Sequence, residues 1–307
     1  MVKGDVRFSK SMTIAGEVNL ILEDGCHLYA DDGIWVKKDA KFSIWAQSTK
    51  EKMGQVEAKA SSHYYAGIGG IESTTPGEIH IYGGKITATG GYRSAGIGAG
   101  GLGTKVNIFI EGGDVTATGA DGGPGIGAGS CETSGETMEG KIQISGGCVT
   151  ATGSLGDRFF DTKNSGGAGI GAGFSTNCAI EVIITGGEVT AKGMGQAAAI
   201  GGGAEDGTGS GGEGGKVIIE GGRVKALSNH TAIGHGSTDR VMGELIIGQE
   251  MKVQAGNNGE TYEGTFPADS RVTACQYRHN ALIEPCEHPE SEGFLAHTPE
   301  HHIRRCK

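Results

Sequence analysis

An internal repeat constrains the fold of this chain more than any other feature. The residues from Glu78 to Gly100 read EIHIYGGKITATGGYRSAGIGAG, and the sequence rewrites them several times with only the loops changed. The A-G-I-G element recurs around Ile68, Ile97, Ile126, Ile170, Ile200 and Ile233, and the G-G-x-V element around Gly83, Gly112, Gly146, Gly186 and Gly221. Both elements keep one order, so each copy is one structural unit that must stack on its neighbours to bury a core.

Apolar residues alternate with a period of two within each copy, which is typical of strands rather than helices. We expect one parity to point inwards. Its members in the first clear copy are Ile79, Ile81, Ile86, Ala88, Ala95, Ile97 and Ala99, and the other copies carry their equivalents. The glycines of the third element, Gly96, Gly98 and Gly100, would then face outwards.

Three short strands separated by glycine corners cannot close a core within one copy, but stacked copies can. Parallel pairing about 4.8 Å apart would bring the isoleucines into continuous columns. The sequence therefore predicts an all-β fold: a right-handed single-stranded parallel β-helix, a β-solenoid with three strands per winding and about eight windings. Glycine makes up about a fifth of the chain, which suits tight corners.

The composition divides the chain into three parts. Residues 1–60 read as N-terminal degenerate windings with a cap, and we expect Trp35 and Trp45, which have the outward parity, to lie against that cap. The alternative is that the two tryptophans stack on a ligand. Residues 61–260 form the repeat β-helix. Residues 261–307 are a small Cys/His-rich C-terminal segment, which reads as the truncated start of another module.

Charge and hydropathy exclude several classes of partner. The net charge is −10 and no basic cluster precedes the last few residues, so we predict that the chain does not bind nucleic acid. No apolar run reaches membrane-spanning length, so we predict no membrane insertion. The first residues, MVKGDVRFSK, lack the apolar core of a signal peptide.

Loops that leave from the same corner of successive windings should gather along one edge. The candidate ligand-binding residues on this loop edge are Tyr64, Tyr65, Tyr92, Arg93, Arg158, Phe159, Phe160, Asp161 and His230. Aromatic faces beside hydrogen-bonding groups suit a carbohydrate or a partner chain. The alternative is that Phe159 and Phe160 fold back to pin their own long loop.

An enzyme that cuts polysaccharides needs a pair of carboxylates, or a basic residue beside a carboxylate. The one group that could supply them on the loop edge is Asp157, Asp161 and Arg158. Outward strand positions offer no matched acidic pair, so we favour binding over catalysis. If the chain is an enzyme, a glycoside hydrolase or polysaccharide lyase is expected.

Three of the seven cysteines and five of the ten histidines fall near the C-terminus. This clustering permits a structural zinc site with Cys286, His288 and Cys306 as ligands. The spacing matches no standard zinc pattern, and a disulfide between Cys275 and Cys286 is the competing interpretation. No other cofactor is predicted.

The segments VNLILEDG, GIWV and FSIWAQS, the alternation of I-x-I-x-G-G-x-V-T-A-T-G with AGIGAG, and the tail beginning ACQYRHN cover most of the chain. In these motifs the chain resembles the glycine-rich β-helix repeat regions of large surface proteins from gut-dwelling Gram-positive bacteria. The resemblance implies an extracellular, cell-wall-associated module whose partner is a glycan or a host surface protein. A polysaccharide-active enzyme and a structural spacer are the alternatives. The absence of a signal peptide departs from that pattern, and a segment of a longer protein would explain it.

Overall fold

The structure is a computed structural model. It describes residues 1–49, 52–61, 64–131, 136–156, 165–205, 211–237 and 241–286, together with the backbone of 296–297 and 302–303. Two long sheets of parallel strands run through these residues. The chain is therefore an all-β parallel β-helix, as the repeat predicts.

The strands are short and follow one another with a single helix among the described residues. In chain order they are β1 (Asp5–Phe8), β2 (Met12–Ile14), β3 (Glu17–Leu22), β4 (His27–Ala30), β5 (Ile34–Val36), β6 (Lys41–Ala46), β7 (Gln55–Lys59), β8 (Ile68–Gly69), β9 (Glu78–Ile81), β10 (Lys85–Thr89), β11 (Ile97–Gly98), β12 (Lys105–Ile110), β13 (Asp114–Thr118), β14 (Ile126–Ala128), β15 (Glu136–Ile144), β16 (Cys148–Thr152), β17 (Ile170–Ala172), β18 (Thr176–Lys192), β19 (Ile200–Gly201), β20 (Lys216–Leu227), β21 (Ile233–Gly234), β22 (Glu244–Ile247), β23 (Met251–Gly256), α1 (Arg271–Gln276), β24 (Asn280–Pro285), β25 (Ala296–His297) and β26 (His302–Ile303).

Each winding contributes one strand to each of three faces. Face A holds β1, β4, β7, β10, β13 and β16; face B holds β2, β5, β8, β11, β14, β17, β19 and β21; face C holds β3, β6, β9, β12, β15 and β22. The long strands β18 and β20 begin on face C, pass through a glycine pair and end on face A. The described chain therefore contains eight windings, which agrees with the predicted number.

The core is a set of columns that run parallel to the solenoid axis. Ile81, Ile110 and Ile144 lie in register on neighbouring strands of face C, and all three are fully buried. On face A, Val115 pairs with Val149 in the same way. Full burial of one such side chain stabilises the fold by about 1.5–3 kcal/mol. The predicted inward parity is thus confirmed.

The glycines of face B do not face outwards, so that expectation was wrong. Gly96, Gly98 and Gly100 are all buried. Gly98 has a φ of +138°, and a Cβ built on it would lie 1.9 Å from the carbonyl oxygen of Gly127. Gly127 stands in the same relation to Gly171, at 1.8 Å. These glycines therefore form a buried column in which the backbones of successive windings touch, and no side chain fits between them.

The N-terminal windings continue the same sheets. Strands on either side of residue 60 pair in register; in β7 and β10, for example, Val56 faces Ile86. Trp45 does not lie against a cap: its indole stacks on Tyr82, with ring centres 3.8 Å apart. Trp35 instead lies under the Lys37 ammonium group, 5.2 Å from its ring centre.

The C-terminal end of the core is closed by antiparallel pairing. Strand β24 pairs with β20 and with β23, so that Ile283 lies opposite both Val224 and Val253. Helix α1 packs nearby and brings Cys275 into the core. The guanidinium of Arg271, at the start of α1, donates to the Gly248 carbonyl oxygen at 3.2 Å. The domain boundaries predicted at residues 60 and 260 remain predictions.

Candidate functional site

The loops between faces A and B follow one edge of the solenoid, where several of the predicted ligand-binding residues meet. The rings of Tyr64 and Tyr92 make an edge-to-face contact with centres 5.2 Å apart. The Arg93 guanidinium lies 5.2 Å from the centre of the Tyr92 ring. Tyr65 joins them through its carbonyl oxygen, which accepts a hydrogen bond from the Gly91 amide. The structure thus places these four residues together, and their role in ligand binding stays a prediction.

The cluster is packed into the scaffold. Tyr64 covers Gly101 so closely that a Cβ there would lie 2.3 Å from the tyrosine Cδ1 atom. Arg93 is only 6% exposed, and Tyr64 and Tyr92 are half-buried. Most of the ring surface in this cluster therefore contacts protein, and little of it is free to stack on a sugar.

His230 shares the loop edge but not the cluster. It lies in the eighth winding and Tyr64 in the third, so the strand spacing separates them by about 24 Å along the axis. The His230 Nδ1 atom lies 2.9 Å from the Thr231 hydroxyl, and its ring is 5.5 Å from that of His235. Burial, followed by the nearby His235 and His279, lowers the pKa of His230 to about 4. Its imidazole is therefore neutral at physiological pH.

A small cleft of about 240 Å³ opens beside His230, at the C-terminal end of the loop edge. Lys192, Asn229, Glu260 and His279 are among its lining residues. A hydrogen bond from Lys225 lowers the pKa of the Glu260 carboxyl. Glu260 is the one carboxylate in this lining, so the cleft lacks the pair that a glycosidase uses.

The remaining loop-edge predictions fall in the longest insertion. Asp157, Arg158, Phe159, Phe160 and Asp161 lie outside the described residues. The base of their loop is closed by an antiparallel bridge between Leu155 and Gly166. The proposed catalytic group and the loop-pinning alternative both stay predictions.

The predicted zinc site also falls largely outside the described residues, because His288 and Cys306 are not among them. Cys286 is disulfide-bonded in the structure, a form in which its sulfur is not available as a thiolate ligand. Cys275 is a free, buried thiol, so the expected Cys275–Cys286 pairing is wrong. Within the part of the chain that is described, no group of three His, Cys, Asp or Glu side chains is placed to hold a metal ion.

A second candidate surface lies on the outside of face C. We call it the aromatic ladder, and it consists of Trp45, His80, Tyr82 and Phe109. Trp45 stacks on Tyr82 at an interplanar angle of 10°, and His80 stacks on Phe109 with ring centres 4.6 Å apart. Trp45 is 41% exposed. The ladder thus presents aromatic surface to solvent across β6, β9 and β12.

Hydrogen bonds fix the rings of the ladder in place. The His80 Nε2 atom lies 3.2 Å from Glu78 Oε2, and the Tyr82 hydroxyl lies 3.4 Å from His80 Nδ1. In the tautomer that carries its proton on Nε2, His80 donates to Glu78 and accepts from Tyr82. The Trp45 indole N–H donates to Asn19 at 3.3 Å. The ladder is therefore ordered before any ligand arrives.

A polar cleft of about 590 Å³ adjoins the ladder. Its lining includes Lys38, Asp39, Lys41, Glu78, Lys105 and Asn107. Lys41 and Glu78 are the first residues of β6 and β9, and they lie opposite each other in register. Since outward side chains recur every second residue, His80 comes directly after Glu78 on the same face. The cleft and the ladder form one continuous surface.

This surface was not predicted from the sequence. Tyr82 and Phe109 both have the outward parity of the face C strands, and Phe109 lies in register with His80, two residues before Tyr82. Trp45 has the same parity, but a long segment separates it from Tyr82 in the chain. Two sequence patterns could have predicted it: the outward residues E-x-H-x-Y that begin at Glu78, and the outward residues K-x-S-x-W that begin at Lys41 in the preceding winding. Aligned in register, they place Trp45 beside Tyr82.

Comparisons with known proteins support the architecture. A family model described as a β-helix repeat matches residues 79–101, 110–130, 142–174 and 182–204. The matched segments begin in or at the end of face C strands and extend through faces A and B. No curated protein and no solved structure matches the chain. Among the described residues, no helix is long and apolar enough to cross a membrane.

Proposed function

We propose that the chain is an extracellular, cell-wall-associated module of a bacterial surface protein, and that it binds carbohydrate on face C. One observation favours this function over the others: a polar cleft of about 590 Å³ runs directly into an exposed, hydrogen-bonded aromatic ladder. Sugars have both hydroxyl groups and apolar C–H faces, so a site for them combines polar side chains with aromatic surface.

The scaffold suits an extended ligand. The ladder and the cleft cross the second, third and fourth windings, which are joined by backbone hydrogen bonds in register. Adjacent windings are about 4.8 Å apart, close to the length of one sugar unit along a polysaccharide. A rigid, ordered surface also lowers the entropy lost on binding.

The extracellular location rests on two observations. The chain resembles glycine-rich β-helix regions of large surface proteins from gut-dwelling Gram-positive bacteria, and Cys286 takes part in a disulfide. Disulfides persist in oxidising surroundings and are rare in the cytosol. A host glycan, or a glycosylated host surface protein, is the corresponding partner.

A polysaccharide-active enzyme is the second candidate. Asp39 and Glu78 both line the cleft of face C, and two carboxylates are the minimum that glycoside hydrolysis needs. Glu78 is held by His80 at 3.2 Å, which favours a positioning role for it. The loop-edge group of Asp157, Asp161 and Arg158 is the other possible catalytic set. A structural spacer would use neither surface.

An array of host and dietary glycans, probed with the purified chain, tests these functions together. Mass spectrometry of each bound spot shows whether the glycan has been cut. We expect binding without cleavage, with binding lost in Tyr82→Ala.

Tyr29→Ala is the matched control, because Tyr29 is also a half-buried tyrosine stacked on a histidine, His27, at 3.8 Å, but on face A. Equal loss in both variants would place the site elsewhere. Cleavage that is abolished by Glu78→Gln would establish the enzyme, and an array without any bound spot would favour the spacer.

A further inference from the structure

The lysines of the face C cleft stand apart from the other lysines on the same face. Lys38, Lys41 and Lys105 all line the cleft, and within the described part of the chain none of them forms an ion pair. Lys216, which occupies the same strand position as Lys41 further along the solenoid, lies 3.5 Å from Glu181 and 3.7 Å from Glu244. Lys216 is therefore paired with two carboxylates, whereas the three cleft lysines have no carboxylate within ion-pair distance among the described residues.

The geometry explains the difference. Glu78 is the register partner of Lys41, the arrangement that gives Lys216 its ion pairs. However, the Glu78 carboxylate turns along its own strand to His80, at 3.2 Å. The next residue in the column is Asn107, which carries no charge. Glu17 and Glu139 are the other register partners of Lys41 and Lys105, and Asp39 lines the cleft. Within the described residues, none of these three carboxylates lies within ion-pair distance of the cleft lysines.

The cleft lining carries three lysines against the two carboxylates of Asp39 and Glu78, so it has a net positive charge in a chain whose net charge is −10. Unpaired ammonium groups in a concave site attract anions and form charge-assisted hydrogen bonds with carboxylate or sulfate oxygens. Three such groups beside the aromatic ladder are suited to a sugar that carries its own negative charge.

We propose that the face C cleft is selective for anionic glycans, in which Lys38, Lys41 and Lys105 contact carboxylate or sulfate groups while the aromatic ladder contacts the sugar rings. This inference rests on the proposed carbohydrate-binding function and names its ligand class. The lysines act as specificity-determining residues, because they favour charged over neutral polysaccharides of the same length.

Intrinsic fluorescence gives a direct binding assay, since Trp35 and Trp45 are the two tryptophans and Trp45 belongs to the ladder. The intact chain would be titrated with polygalacturonate, which carries carboxylates, with chondroitin sulfate, which carries both groups, and with neutral dextran and xyloglucan. We expect one or both anionic polymers to bind at least about tenfold more tightly than the neutral ones. Preference for polygalacturonate or for chondroitin sulfate then distinguishes carboxylate from sulfate recognition.

The triple variant Lys38→Gln/Lys41→Gln/Lys105→Gln should lose most of this preference, about tenfold in Kd, and should show a weaker dependence of Kd on salt. Lys216→Gln is the matched control and should bind like the parent chain. Circular dichroism on the triple variant would show that the fold is retained.

Two results would overturn the inference while leaving carbohydrate binding intact. One is equal affinity for neutral and anionic polymers; the other is an unchanged preference in the triple variant. Equally tight binding of poly-glutamate would show that charge alone is recognised, which also contradicts a site for anionic sugars. If none of the four polysaccharides binds and the glycan array is also empty, the proposed function itself fails.

Discussion

Gly98 and Gly127 lie one above the other on face B, and a Cβ on Gly98 would lie 1.9 Å from the Gly127 carbonyl oxygen. This contact and its equivalents along the glycine column set how closely the windings of face B can approach. The strands there are only two or three residues long, so a single side chain would interrupt the pairing between two windings.

Gly98→Ala should therefore destabilise the fold strongly, by about 4 kcal/mol or more. Its φ of +138° is a conformation that residues with a side chain rarely adopt. Gly16→Ala is the control: Gly16 also has a positive φ, +73°, but nothing lies within 4 Å of its Cβ position. Only backbone strain of about 1–2 kcal/mol applies there. Urea unfolding of the two variants measures the difference, and equal midpoints would contradict the close contact.

The stability of the chain should fall as the pH drops from about 6.5 towards 4. The folded-state pKa of His230 is about 4, below the ordinary value of 6.5, chiefly because of burial. In that window the unfolded chain binds the proton and the folded chain does not, so acid favours unfolding by at most about 3 kcal/mol. Melting temperatures across this range should vary less in His230→Gln. His27→Gln, on face A, is the control and should keep the pH dependence of the parent chain. An equally reduced variation of melting temperature in both variants would contradict the assignment to His230.

Native-state alkylation should modify Cys148 before the other free cysteines of the described chain. Cys26, Cys131, Cys178 and Cys275 are buried, whereas Cys148 is exposed. Burial raises the pKa of Cys131 and Cys178 to about 11 and that of Cys275 to about 12, and the thiolate is the reactive form.

Iodoacetamide labelling followed by peptide mass spectrometry tests this order. The rate at Cys148 should rise with pH, since burial and the carboxylates of Asp114 and Glu188 raise its pKa as well. Cys148→Ser should remove the fast phase. Early labelling of Cys178 would instead indicate that the solenoid opens in solution.

Ile283→Asp should detach the C-terminal strand and cause self-association. Ile283 is fully buried between Val224 and Val253, so a carboxylate there would be unpaired and costly. Loss of β24 would leave an open sheet edge, which is prone to pair with another chain. Size-exclusion chromatography with light scattering should detect aggregates.

Glu284→Gln, at the next residue, serves as the control. It removes partly exposed ion pairs with Arg223 and Lys252, which are worth about 1 kcal/mol or less. The control variant should therefore stay monodisperse under conditions in which Ile283→Asp aggregates. Aggregation of both variants to the same extent would contradict a closing role for Ile283.

The fold could be predicted from the sequence because several copies of the repeat carry the same pattern of strands and corners. Each copy places its isoleucines and valines at the same parity, and the burial of Ile81 and Ile110 confirms that reading. The environment of Gly98 could not be predicted in the same way. An outward parity and a backbone-to-backbone contact both favour glycine, and the sequence alone does not separate the two explanations.

The candidate site was only partly predictable, since it depends on which strands become neighbours. Trp45 and Tyr82 are in adjacent windings, but the segment between them contains a loop of unusual length, so their stacking is not evident from spacing. The cleft was not predictable either, because Lys41 and Lys105 come from different windings and become neighbours only when the windings stack. Cysteine spacing likewise could not show whether Cys286 enters a disulfide or a metal site.

The glycine column also determines how this architecture can change in length. Each winding pairs through its three strands with the winding before it and the winding after it, so whole windings can be duplicated or removed without altering the register of those that remain. The length of the solenoid then varies in steps of one winding, about 4.8 Å each. In a longer chain of this kind, the number of repeats would set the distance between the face C surface and the far end of the solenoid.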